Sequence, residues 1–252
     1  MSFDYYTKWF DSYAEGFYNG EKYHDGNIAL KYHHSLRVCS EIQWLSRSMG
    51  LDPADSFTAE LIGLLHDIGR FPQFARYRTF NDSRSEDHGR LGLKVLRGER
   101  VLSSLGQAEI SLVEKAVELH CVKELPSGLS GKELFFARLI RDADKLDIFH
   151  IVTENSDGFV MELGLSTEDC CSEQILDGIL EDRQVDYSSM KTWNDIRLLH
   201  LSWVYDMNFP ASLQKIRQKR YIERIGELLP DTPKVEKVRK KVLSFLYKKS
   251  LS

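Results

Sequence analysis

The stretch "AELIGLLHDIGRFPQF", residues 59–74, decides how the rest of the chain is read. It begins as core, with Leu61, Ile62, Leu64 and Leu65 crowded together. It then runs into His66 and Asp67 side by side, followed by Ile68, Gly69 and Arg70. Ionisable groups at the end of a buried helix cost free energy unless something pairs with them. Adjacent helical residues point about 100° apart, because 3.6 residues make a turn. His66 and Asp67 can therefore share one target only where the helix ends beside it.

Outward from this stretch the periodicity is helical nearly throughout, and an all-α fold is expected: a helical bundle with additional C-terminal helices. Residues 28–49 carry the stripe Leu30, His34, Val38, Ile42, Leu45, Met49, closed by Gly50. The next helix opens with Asp52 as N-cap, Pro53 at its first position and Asp55 in its first turn. It is expected to run to about Asp67, with Gly69 on its C-terminal side. Residues 71–84, "FPQFARYRTFNDSR", read as an irregular segment. A helix is expected from near Ser85, where Glu86 and Asp87 favour the positive N-terminal end, to near Gly98. Another spans 107–121, with Ile110, Val113, Val117 and His120 on one face. Ser130-Gly131-Lys132-Glu133 resembles a capping box opening a helix to about His150. Later helices are expected near 172–182, 191–207, 211–228 and 232–249. The last, basic and amphipathic, reads as a solvated face packed on one side. Residues 1–150 are expected to form the core domain, and 151–252 a helical extension packed on the same core. That extension could complete the core, form a lid or make an interface in a homo-oligomer.

The chain has 252 residues, 42% of them apolar and 11% aromatic, which suits a folded protein with a sizeable core. A formal charge of −4 argues against a general nucleic-acid binder but not against small anionic substrates, which need only local positive charge. Cys39, Cys121, Cys170 and Cys171 make no C-x-x-C pair, and reduced thiols in a cytoplasmic protein are expected. The N-terminus "MSFDYYTKWFDSYAEGF" lacks the basic end and apolar centre of a signal peptide. No apolar run approaches the roughly 20 residues of a membrane span, so no membrane partner is expected.

The polar residues inside the stripes suggest what His66 and Asp67 meet. His34 falls between Leu30 and Val38. His88 shares a face with Leu91 and Val95, His120 follows Val113 and Val117, and Asp144 follows Phe136 and Ile140. A single histidine of this kind is more often a satisfied core residue than a ligand. Several helices turning imidazoles and carboxylates inward together is how bundles build metal sites. Such donors suit divalent iron, manganese, zinc, cobalt, nickel or magnesium, one ion or two, without any thiolate. Asp67 has two oxygens and could bridge a pair.

The ordered set "HHSLRV", "LLHDIGR", "EDHGRLG", "ELHCVKELP" and "RDADKLDIF", spread over residues 28–150, resembles the HD superfamily of metal-dependent phosphohydrolases, named for the adjacent His-Asp pair. The resemblance implies that His34, His66, Asp67 and Asp144 hold a core ion. It implies that His88 and His120 hold a second ion, with Asp67 bridging. Asp142 and Asp147 compete with Asp144 for the last role, and Lys145 directly after Asp144 favours Asp144. His33 is off the stripe; His24, His150 and His200 are read as structural or exposed. His120 is followed by Cys121 and Val122 with no Gly-Tyr-Pro motif, unlike the HD-GYP cyclic dinucleotide phosphodiesterases. Gly69, Arg70 and Phe71 stand where the (p)ppGpp hydrolases carry an acidic pair.

The expected function is hydrolysis of a phosphoester, nucleotides included, by metal-activated water, with Asp67, Arg37 and Lys145 in catalytic roles. Arg37 lies three residues after His34 and so projects from the same side. Arg37, Lys145 and Arg70 are the candidate phosphate cations, and each could instead orient a ligand carboxylate. Gln73, Arg76 and Tyr77 are further substrate-binding candidates in a segment that could equally pack over the core. Two alternatives stand beside the hydrolase: a metal-holding sensor module without turnover, and an HD-fold di-iron oxygenase.

Overall fold

A computed structural model of the chain describes residues 2–154, 165–183, 185 and 189–250. The described chain is all-helical, with a single isolated bridge between Ser166 and Thr192. It divides into two compact units, Met1–Asp147 and Ile148–Ser252, and the division falls inside a helix. None of the described helices is long and apolar enough to cross a membrane.

The first unit contains α1 (Phe3–Glu15), α2 (Lys22–Met49), α3 (Pro53–Leu65), α4 (Arg70–Tyr77), α5 (His88–Gly98), α6 (Gln107–Leu119) and the start of α7 (Gly131–Glu154). Helix α3 begins as its sequence dictates: the Asp52 carboxylate accepts the Asp55 N–H at 2.8 Å and Pro53 takes the first position, where its missing N–H costs nothing. Leu61, Ile62, Leu64 and Leu65 are all buried. Each contributes about 1.5–3 kcal/mol of burial free energy, so the C-terminal end of α3 rests on a rigid base. The main neighbour of α3 is α2. Gly63 permits the close approach, because a Cβ there would come within 3.0 Å of Ile42 Cδ1 and 3.2 Å of Cys39 Cα. Helix α2 ends at Gly50, whose φ of 67° is the left-handed conformation glycine adopts freely.

Three expectations need correction here. Residues 70–77 are helical (α4), where an irregular segment was expected. Phe71 and Phe74 bury one face three residues apart, and Pro72 is tolerated because it lies in the first turn, where its ring meets no preceding carbonyl. Helix α5 starts at His88 rather than near Ser85, because Asp87 is its N-cap and accepts the Arg90 N–H at 2.8 Å. Gly69 has right-handed backbone angles, φ −69° and ψ −19°, so it does not serve as a left-handed cap. Its role is to leave room: a Cβ would lie 2.2 Å from the carbonyl oxygen of His88 and 2.5 Å from the nitrogen of Gly92. The start of α5 is thereby brought against the chain that follows His66-Asp67.

The second unit contains α8 (Glu173–Leu180), α9 (Trp193–Ser202), α10 (Pro210–Gln218), α11 (Tyr221–Glu227) and α12 (Pro233–Lys249), with a 3-10 turn Trp203–Asp206 after α9. Val235, Val238, Val242 and Leu246 form the buried stripe of α12, which packs on α8, α10 and α11. Thr192 and Asp195 make a reciprocal capping box at the start of α9. The Asp195 carboxylate also accepts the Ser172 N–H at 2.8 Å and the Ser172 hydroxyl at 2.7 Å, tying the start of α8 to α9. The helix expected over 211–228 is two helices. Arg220, at φ 54°, breaks the path between α10 and α11.

Candidate metal centre

Four imidazoles converge in the first unit, and three of them sit at helix ends. His66 ends α3, His120 ends α6, His88 opens α5, and His34 projects from the middle of α2. All four are buried. His66 Nε2 lies 3.3 Å from His34 Nε2, and His88 Nε2 lies 3.0 Å from His120 Nε2.

Asp67 stands between the two imidazole pairs and divides its carboxylate. Oδ2 is 3.5 Å from His34 Nε2 and 3.8 Å from His66 Nε2. Oδ1 is 3.4 Å from His120 Nε2 and 3.6 Å from His88 Nε2. Asp144, from α7, completes the first set with Oδ1 at 3.1 Å from His34 Nε2. Asp147 lies on the other side of His34, so of these two α7 acids Asp144 is the one facing the inward nitrogen.

The outer nitrogens are all committed. His66 Nδ1–H donates to Gly63 O at 2.8 Å, and His120 Nδ1–H donates to Val117 O at 2.7 Å. A carbonyl only accepts, so each proton is on Nδ1. His34 Nδ1 and His88 Nδ1 sit 2.7 Å from carboxylates, Asp147 Oδ2 and Asp82 Oδ2 respectively. Both carboxyls are held below the usual carboxylate range: burial works against ionisation, and the neighbouring histidine and arginine overcome it. Ionised carboxylates also only accept, so in each neutral ring the Nε2 lone pair points inward.

Burial pushes the His66 pKa down to about 3 and that of His88 to about 4, the latter helped by Arg70. Those two rings are neutral at pH 7, the form that binds metal. For His34, burial and Lys31 lower the pKa, but Asp144 and Asp147 more than offset them and raise it. Burial raises the pKa of Asp67, yet Lys31, His66, His120 and Arg70 hold it well below the ordinary value. Asp144 is likewise lowered, its burial being outweighed by His34 and His66.

This donor set fits divalent cations. Lone pairs of neighbouring rings 3.0–3.3 Å apart repel unless a cation or proton lies between them. Two nitrogens each about 2.1 Å from one ion lie about 3.0–3.4 Å apart, for angles between square and tetrahedral. The donor atoms of His34, His66 and Asp144 lie within 4.8 Å of one another, as do those of His66, Asp67 and His120. A third group, His88, His120 and Cys121, meets the same limit. Cys121 was not a sequence candidate.

The cationic and amide candidates are placed less simply. Arg37 Nε and Nη2 form two hydrogen bonds to Asp147, at 2.6 and 3.1 Å, so its guanidinium grips the carboxylate that orients His34. Arg70 Nη1 donates to Gln73 Oε1, Phe80 O and Asp82 Oδ1, and its Nε lies 3.5 Å from Asp67 Oδ1. Gln73 is fully buried and its amide donates to Asp82, Ser85 and Glu86. Arg70 and Gln73 therefore brace Asp82, which in turn holds His88. Arg76 is exposed and its guanidinium stacks over the Tyr77 ring at 5.0 Å. Among the described residues no hydrogen bond or ion pair ties either to the imidazole cluster. Lys145 is buried on α7 beside Asp144 in sequence. His33 is exposed.

Besides Cys121, two residues of the centre were missed. Asp82 had no periodic signal, because it opens a single 3-10 turn, Asp82–Arg84, between α4 and α5. Lys31 had one: it precedes His34 by three residues and shares its side of α2. Its ammonium donates to Asp67 Oδ2 at 2.9 Å.

An all-helical unit that gathers imidazoles and carboxylates from five helices, with their donor atoms turned towards one another, belongs to the class of helical domains able to bind metal. The particular domain follows from its sequence: residues 32–149 match the family model of the HD domain. The chain contains an HD domain, and its clustered His and Asp residues are consistent with the active site of a metal-dependent phosphohydrolase able to coordinate one or two divalent ions. No curated protein and no solved structure matches the chain.

Proposed function

We propose that the protein is a cytoplasmic phosphohydrolase that cleaves a phosphoester of a small phosphorylated molecule, with nucleotides among the candidate substrates. The observation that carries this reading is the division of Asp67 between two imidazole pairs, one oxygen to each. That arrangement supports two ions: one held by His34, His66, Asp144 and Asp67 Oδ2, the other by His88, His120 and Asp67 Oδ1. Bound divalent ions make hydroxide available from water near neutral pH and neutralise charge on phosphoryl oxygens.

The chain's own residues do the remaining work. Asp147 and Asp82 keep the Nδ1 protons of His34 and His88 in place, so in each ring, when neutral, Nε2 is the acceptor aimed inward. Arg37 acts through Asp147, and Arg70 with Gln73 acts through Asp82; these are positioning residues in this reading. All four cysteines are free, which supports a reducing compartment.

Metal analysis of the purified protein and a phosphoester panel with added manganese, iron or cobalt test the proposal. The wild type is expected to hold one to two equivalents of divalent metal and to turn over. Asp67→Ala is expected to lose both while keeping its helical circular dichroism. Full activity in rigorously metal-free protein would end the reading.

A further inference from the structure

We propose that Lys31 is the cation that grips the substrate's phosphate, and that metal loading releases it for this task. The inference rests on the hydrolase reading above. Its starting point is the position of the Lys31 ammonium, 2.9 Å from Asp67 Oδ2. This is the oxygen directed at His34 and His66, the one the first ion would take. Without a divalent ion, Lys31 neutralises that oxygen. With one, the oxygen's charge is shared with the ion, and two cations crowded on the same oxygen repel. The ammonium must then move to another anion.

The surroundings of Lys31 allow that movement. Its side chain is 15% exposed, so it lies at the mouth of the cluster rather than inside it. The four-carbon stem has several rotatable bonds, and the Phe80 ring, with its centroid 5.3 Å from Nζ, offers a face along which a cation can slide. An ammonium has three N–H donors. Asp67 takes one, and no other described residue accepts from the remaining two.

Two other cations beside the cluster already hold carboxylates. Asp147 holds Arg37 through two hydrogen bonds, and Arg70 is shared among Gln73, Phe80 O and Asp82. Releasing either would free a carboxylate that orients a metal-facing imidazole. Releasing Lys31 costs the centre nothing once an ion has taken its place. A lysine is also the suitable side chain, being a compact point charge that binds phosphate without demanding planar, two-pronged geometry.

The test measures metal and phosphate binding separately by calorimetry, using Mn2+ alone and then inorganic phosphate on the Mn2+-loaded protein. Lys31→Met keeps the stem and removes the charge. Its phosphate affinity is expected to fall about 10- to 100-fold, the range for losing one charge-assisted hydrogen bond. Its Mn2+ affinity is expected to match or exceed that of the wild type, because the internal competitor for Asp67 is gone. Lys31→Arg is expected to recover most of the phosphate affinity.

An unchanged phosphate affinity in Lys31→Met would overturn the inference and leave the hydrolase reading standing. So would a variant that loses Mn2+ together with phosphate, since Lys31 would then merely support the site. A loaded wild type that binds no phosphate would overturn it too. A wild type that takes up no divalent ion would remove both readings together.

Discussion

Two buried histidines, His66 in the first unit and His200 in the second, are alike by one measure and opposite by another. Burial lowers the pKa of each to about 3. His66 has its Nδ1 proton fixed on a carbonyl and its Nε2 turned towards His34, Asp67 and His120. His200 has no hydrogen-bond partner at Nδ1, and its ring lies against Trp203 with centroids 4.5 Å apart. The shifted pKa therefore reports burial in both places and chemistry in only one. What separates them is convergence: donors on separate helices meet around His66, whereas His200 packs against the Trp203 ring.

Breaking that contrast is the most decisive test. His66→Ala is expected to abolish metal uptake and turnover, while His200→Phe keeps both. Metal content and steady-state rates of the two proteins measure this directly, and equal losses would show that the contrast means nothing.

A smaller effect is expected one contact further out. Asp147→Ala and Asp82→Ala remove the acceptors behind His34 and His88, and each is expected to weaken metal binding about 10- to 100-fold. Competition with a chelator reads this out, and variants that bind as tightly as wild type would sink the orienting roles.

The last effect concerns His200 and pH, and leaves the metal centre untouched. An unfolded imidazole titrates near 6.5, whereas folded His200 stays neutral down to about 3. Between those values the unfolded chain binds the extra proton. Stability is therefore fully present above about pH 6.5 and is lost as pH falls towards 3, by at most about 1.4 kcal/mol per pH unit for one group. Urea unfolding at several pH values should show a shallower decline in His200→Phe than in wild type. Identical slopes would mean that His200 gains its proton without leaving the fold.

Parts of this architecture were legible residue by residue. The Asp52-Pro53 start of α3 works through neighbours in sequence, and so does the stripe of α12. The inward histidines were legible because each interrupts an apolar stripe at helical spacing. Other features carried no such mark. Helix α4 was missed because "RFPQFARY" holds a proline and three charges or amides, and its helical character depends on burying Phe71 and Phe74. The break at Arg220 has neither glycine nor proline to announce it. Asp82 reaches His88 from a single 3-10 turn, too short to show a period.

The sequence by itself determined the helical class, the ends of several helices and a pool of histidines and acids lying within apolar stripes, because capping, periodicity and donor chemistry are local properties. Only the tertiary structure decided which oxygen of Asp67 faces which imidazole pair, that Arg37 serves Asp147, and that Lys31 stands against Asp67. Those are relations between side chains on different helices. They depend on how closely α2, α3 and α5 pack, a closeness set by Gly63 and Gly69 through atoms they lack.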